Sequence, residues 1–166
     1  MDCQALLAEL PRLRRYARAL VGEQAAADDL VQDTVERAWT RSAQWRAGGE
    51  LRTWLFAIMH NLRMDQLRRP GVDCVPIDPE LHDQPVRASQ ADGIELAELA
   101  NALAQLPEEQ RAVLLLVSLE EMSYAQVATT LGIPSGTVMS RLSRGRERLR
   151  QLLAGEVPSP RLRVVR

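Results

Sequence analysis

The sequence predicts an all-α protein of two small helical domains. Three observations point there: apolar residues recur at three- and four-residue steps nearly throughout, no alternating strand of useful length occurs, and a proline-broken acidic stretch divides the helical text in two. The division reads as residues 1–69 for a first domain, 70–91 for a linker, 92–154 for a second domain and 155–166 for a basic tail.

The first helix is expected over Cys3 to Val21, interrupted or restarted near Pro11 and stopped by Gly22. A second spans about Ala25 to Ser42, with Leu30, Val31, Thr34, Val35, Ala38 and Trp39 at helical steps. A third runs from about Glu50 to Arg69, placing Leu51, Trp54, Leu55, Ile58, Met59 and Leu62 on one stripe, and ends at Pro70-Gly71. Prolines 70, 76, 79 and 85 then mark the linker.

In the second domain, Ile94 to Leu103 carry the first helix, and Pro107-Glu108-Glu109 suit the first turn of the next, where acids meet the positive end of the helix dipole. The apolar run from Val113 to Leu119 is expected to be the most buried segment of that domain. Ser123 and Gln126 fit a capping box opening a short helix to Leu131, and Ser135 is expected to cap a final helix reaching about Leu153.

Charge is segregated. Residues 71–110 hold nine acids against Arg87, a balance of -8, whereas from Ser135 onward eight arginines face Glu147 and Glu156, a balance of +6. A cationic C-terminal segment of this kind suits a polyanion partner. Cys3, Cys74, His60 and His82 have no ligand spacing, so no metal site or disulfide framework is expected, and they read as ordinary thiols and packing or surface histidines. No paired nucleophile and base and no phosphate-cradling glycine loop point to catalysis, and no cofactor is expected. No apolar stretch is long enough to span a bilayer and no signal core precedes the first arginines, which predicts a cytoplasmic protein without membrane insertion.

The strongest motif is a helix-turn-helix. Ala128 offers the small residue where two helices nearly touch, Gly132 the tight turn and Val138 the buried lock, with Val127, Leu131, Ile133 and Leu142 around them. Arg141, Arg144, Arg146, Arg148 and Arg150 make the second helix basic. Its N-terminal half is the part that enters a major groove, so Ser135, Thr137, Met139, Ser140, Arg141 and Arg144 are the candidates for base-edge or nearby phosphate contact. Arginine alone matches guanine through two parallel bonds, which makes Arg141 or Arg144 the sharpest reader.

In the first domain, the third helix mixes aromatic residues, an amide and terminal arginines, a set suited to unpaired bases and a phosphate chain, although core packing is the stronger reading of Trp54 and Phe56. Trp45 lies in a polar loop where no helical period calls for an aromatic. Capture of a base and folding back onto the bundle both fit it.

Together the two halves resemble the extracytoplasmic-function group of bacterial sigma factors of the sigma-70 type. Residues 28–39 (DDLVQDTVERAW) look like that family's region-two helix, residues 51–69 (LRTWLFAIMHNLRMDQLRR) like its promoter-melting helix, and residues 106–150 like its region-four domain. The resemblance implies that Asp29, Leu30, Gln32, Asp33 and Arg37 dock on the clamp of core RNA polymerase. It further implies that Trp45 and Asn61 line a pocket for a flipped base of the minus-ten element, that Arg68 and Arg69 touch phosphates, and that Ser140, Arg141 and Arg144 contact the minus-thirty-five element. Met139 stands where many relatives carry arginine, so preference there is expected to differ or to rest on contact with a thymine methyl. The chain as written carries no extra N-terminal inhibitory segment, so its regulation is expected from a separate anti-sigma protein. Two rivals are a stand-alone helix-turn-helix regulator, which would bind a symmetric operator without polymerase, and a sigma-like decoy that titrates an anti-sigma factor.

Overall fold

The computed structural model describes residues 2–45, 49–69 and 90–155. Residues 70–89 of the predicted 70–91 linker, with Cys74 and His82, loop residues Arg46, Ala47 and Gly48, and the basic tail from Glu156 lie outside the described residues, while Gln90 and Ala91 are helical rather than linker. Within them the chain forms seven α-helices and a short 3-10 turn, with no strand.

In the N-terminal half, α1 (Cys3–Val21), α2 (Gln24–Thr40), the 3-10 turn Ser42–Gln44 and α3 (Leu51–Arg68) make a three-helix unit. Asp2 caps α1 by accepting from the Gln4 amide, and Glu23 caps α2 by accepting from the amides of Ala25 and Ala26. The expected break at Pro11 does not occur, and α1 is continuous through it. Pro11 is exposed, and the residue four before it, Leu7, is exposed too, so the carbonyl left without an amide partner lies on the wet side of the helix. Leu13, Tyr16, Leu20, Leu30, Leu55, Phe56 and Met59 fill the space between the helices, with Phe56 edge-on to Tyr16 at 5.1 Å between ring centres. Phe56 is therefore a core residue, the stronger of its two sequence readings, although it stands outside the predicted apolar stripe.

The C-terminal half contains α4 (Gln90–Ala104), α5 (Glu108–Ser118), α6 (Tyr124–Leu131) and α7 (Ser135–Leu153). The apolar run of α5 is buried from Ala112 to Leu116, and Val127, Val138 and Leu142 pack against it. Gly145 in the arginine-rich helix has a structural reason: a β-carbon there would sit 3.3 Å from the Gln110 carbonyl, so glycine lets α7 lie close on α5.

The two halves do not hold separate cores. Buried residues of α1, α2 and α3 run without interruption into those of α5, α6 and α7. Periodicity identified each apolar face, but not that some faces meet across the predicted domain boundary.

Candidate nucleic-acid and polymerase interface

The helix-turn-helix is built as its residue types demand. The Ser123 hydroxyl accepts from the Gln126 amide at 3.2 Å while the Gln126 side chain accepts from the Ser123 amide at 2.7 Å, so α6 starts at a complete capping box. Gly132 ends it in the left-handed region, φ +63°, and the next amide, Ile133, returns to the Ala128 carbonyl at 3.0 Å. Open space surrounds the missing β-carbon of Gly132, so Gly132→Ala should cost about 1–2 kcal/mol through backbone conformation alone. Urea unfolding should therefore show a lower midpoint with an unchanged slope.

Ser135 does not cap α7. Pro134 occupies the capping position, no side chain accepts there, and Ser135 is the first helical residue with its side chain exposed. A proline before the helix already fixes an extended entry, which leaves the hydroxyl free for another partner. Met139 and Arg144 are also exposed, and Thr137, Ser140 and Arg141 are half-buried. The two candidate readers differ. Arg141 is held by Glu109 of α5 at 2.9 Å, with 24% of its side chain accessible, whereas Arg144 has no ion pair among the described residues. Further along, Arg150 pairs with Glu147 at 2.9 Å, consistent with a role away from base edges.

In the N-terminal half, Asn61, Arg68 and Arg69 lie exposed along the end of α3, and Arg68 pairs with Asp65 one turn earlier. Trp45 follows the 3-10 turn, half-buried, with its indole nitrogen buried and lacking a hydrogen-bond partner among the described residues. Both readings of this tryptophan keep support: the ring is partly packed, and its donor is unused. His60, one residue before Asn61, is held below the usual histidine range by burial, partly opposed by Glu108.

Along α2, Asp29, Gln32, Asp33 and Arg37 form an exposed polar ridge. Leu30 is a correction. It is 0% exposed and packs into the core, because positions 27, 30, 31, 34 and 38 are the buried stripe of this helix. It seats the helix from within the core and offers no surface to a partner in this arrangement. Trp39 departs from the apolar period in the opposite sense, lying 56% exposed beside a groove between α1 and α2 that includes Leu10, Arg14, Arg18 and Val35.

Residues 6–60 match the family model for the sigma2 domain of PhyR, and residues 96–149 match that for sigma-70 region 4. The chain is 36% identical over 152 residues to the ECF RNA polymerase sigma factor EcfG of Rhodopseudomonas palustris (strain TIE-1), spanning 89% of this chain and 82% of that protein. The chain belongs to the ECF RNA polymerase sigma factors. It is 39% identical to SigE of Mycolicibacterium smegmatis (strain ATCC 700084 / mc(2)155), over 86% of this chain but 58% of that longer relative. Among solved structures it resembles the sigma factor RpoE of Bartonella quintana, described in complex with the anti-sigma factor NepR. The TM-score is 0.76 at 34% identity, covering 93% of this chain and 97% of that one.

In this ECF family member, sequence reasoning missed two charged residues that the fold buries. Arg111 donates to the carbonyls of Leu20, Ala104 and Leu106, and Glu120 is fully buried at the corner between α5 and α6. Burial pushes the Glu120 carboxyl above its ordinary range, against the hydrogen bond and charge of Arg15. The available signal was position: each charge borders the apolar run of α5, where a solvated side chain is hard to place.

Proposed function

We propose that this chain directs core RNA polymerase to promoters and helps open the DNA there. The α2 ridge of Asp29, Gln32, Asp33 and Arg37 would grip the polymerase clamp, with Leu30 seating it from below. Trp45 and Asn61 would capture a flipped minus-ten base, with Arg68 and Arg69 on the adjoining phosphates, and the N-terminal half of α7 would read the minus-thirty-five element. The observation that carries this reading is that one chain exposes both the polar ridge on α2 and, on a well-formed helix-turn-helix, an Arg144 with no ion pair among the described residues. The domain limits 1–69, 70–91, 92–154 and 155–166 belong to the same proposal. So do a separate anti-sigma partner, action in the cytoplasm and the absence of catalysis. Among the described residues, no helix is long and apolar enough to cross a membrane.

Extruding a base costs a few kcal/mol unless the protein receives it, so the capturing residues should matter for opening more than for closed-complex binding. Run-off transcription with purified core polymerase should fall at least tenfold in Trp45→Ala and Asn61→Ala, with holoenzyme assembly unchanged. Wild-type opening in both variants would remove base capture. The assay also separates the rivals: a stand-alone regulator would bind a symmetric duplex site tightly without core enzyme, and a decoy would support no initiation.

A further inference from the structure

Helix α4 carries its apolar stripe further than the fold covers it. Leu96, Leu99 and Leu103 stand at three- and four-residue steps on one face. Leu103 is 8% exposed and Ala102 4%, so that face is seated in the core near the end of the helix. Toward the start of the helix the same face comes out: Leu99 is 37% and Leu96 58% exposed. Ile94, one turn before, is exposed as well. The helix packs on α7, whose last residue, Leu153, is half exposed. A solitary exposed leucine is ordinary on a protein surface. A stripe that continues a buried face and then runs bare marks a surface with a partner.

Two features say which partner. Between Gln90 and Ala104 there are three acids, Asp92, Glu95 and Glu98, and no base, and Glu95 and Glu98 are exposed beside the stripe. The occupant is therefore both apolar and cationic. Residues 156–166 (EVPSPRLRVVR), which leave the end of α7, have that composition: Arg161, Arg163 and Arg166 stand against Glu156, with Leu162, Val164 and Val165 among them. In an extended run successive side chains alternate, which sets Leu162 and Val164 on one side and Arg161 and Arg163 on the other. The reach suffices, since 11 extended residues span up to about 36 Å and the 15 residues of α4 about 22 Å.

We propose that residues 156–166 lie along α4, with Leu162 and Val164 over Leu96 and Leu99 and with Arg161 and Arg163 paired to Glu95 and Glu98. The positive charge of the tail is then neutralised within the chain rather than on nucleic acid. Any other partner of the α4 stripe must displace the tail, and its apparent affinity falls in proportion to the fraction of chains in which the stripe is bare. Tail docking is independent of promoter reading.

The test uses the full chain with Cys3→Ser and Cys74→Ser and a nitroxide on Arg166→Cys, followed by nuclear magnetic resonance of the isotope-enriched protein. Amide signals of Ile94 to Ala100 should lose most of their intensity beside the radical, while those of Tyr124 to Leu131 keep theirs. Arg161→Glu with Arg163→Glu should restore the α4 signals, and adding Glu95→Arg with Glu98→Arg to that chain should bleach them again. Leu96→Ser with Leu99→Ser should restore them through loss of the apolar contact. Unbleached α4 signals in the chain with its native arginines at 161 and 163, bleaching spread evenly over the surface, or no response to the tail charge reversal would overturn the docking. Bleaching that passes between molecules when spin-labelled and isotope-enriched chains are mixed would assign the stripe to a second copy, and overturns it too. Should the serine variant lose helical circular dichroism, the tail reversal and its rescue, which leave the stripe intact, decide the matter.

Discussion

Arg111→Ala is expected to destabilise the chain by about 3–5 kcal/mol, read as a fall in the urea unfolding midpoint. Helix α4 ends with carbonyls that no amide of its own can reach; Arg111 Nη2 takes that of Ala104 at 2.9 Å and that of Leu106, in the turn beyond the helix, at 2.8 Å. Its Nη1 reaches the carbonyl of Leu20 in α1 at 2.7 Å, and Glu108 lies 3.4 Å away. One planar cation thus serves three backbone acceptors in two halves of the molecule. Its removal leaves the Leu20 and Leu106 carbonyls buried and unpaired beside a carboxylate, and each buried unsatisfied group costs about 1–3 kcal/mol. Arg111→Lys should recover only part of the loss, because an ammonium point charge does not reproduce the fork. A loss below about 1 kcal/mol for alanine would show that water or relaxation replaces these bonds and that the account is wrong.

The sequence made the helices legible where a helix can report on itself. Gly22 and Gly132 ended helices where the apolar period stopped, the Ser123–Gln126 box formed in full, and the run at Val113 became the buried spine of α5. These are local events, decided by residues within a turn or two. Pro11 was misread because its cost depends on which side of the helix faces water, and a single segment does not carry that information.

The seam between the halves was illegible for the same reason on a larger scale. Periodicity marks a face and not its partner, so nothing local pairs Arg15 with Glu120 or Arg63 with Glu108 until α1 and α3 are placed against α5 and its corner. Leu30 shows the limit of carrying a motif over whole: the motif locates the helix, but only packing tells which positions point outward. Trp39 belongs to the same helical rhythm as Leu30 and lies exposed, since a period derived from spacing tolerates one or two positions at the edge of the buried stripe.

The recognition helix offers the sharpest functional contrast. Arg144→Ala should reduce holoenzyme discrimination between the cognate minus-thirty-five element and a scrambled one by about 5- to 150-fold, the range of about 1–3 kcal/mol attached to a good bidentate base contact. Arg141→Ala should lose less. Glu109 already holds the Arg141 guanidinium at 2.9 Å, so reaching a base first requires giving up that pair, and the surrender offsets part of the gain. It follows that Glu109→Ala should bring Arg141 into play, raising promoter affinity and altering base preference at the position it reaches. Competition binding of holoenzyme to a promoter series, substituted base by base through the upstream element, separates these cases. Equal losses from Arg141→Ala and Arg144→Ala, with no effect of Glu109→Ala, would mean that the pair opens freely on DNA and does not rank the two readers. Undiminished discrimination in Arg144→Ala would exclude that side chain from the groove altogether.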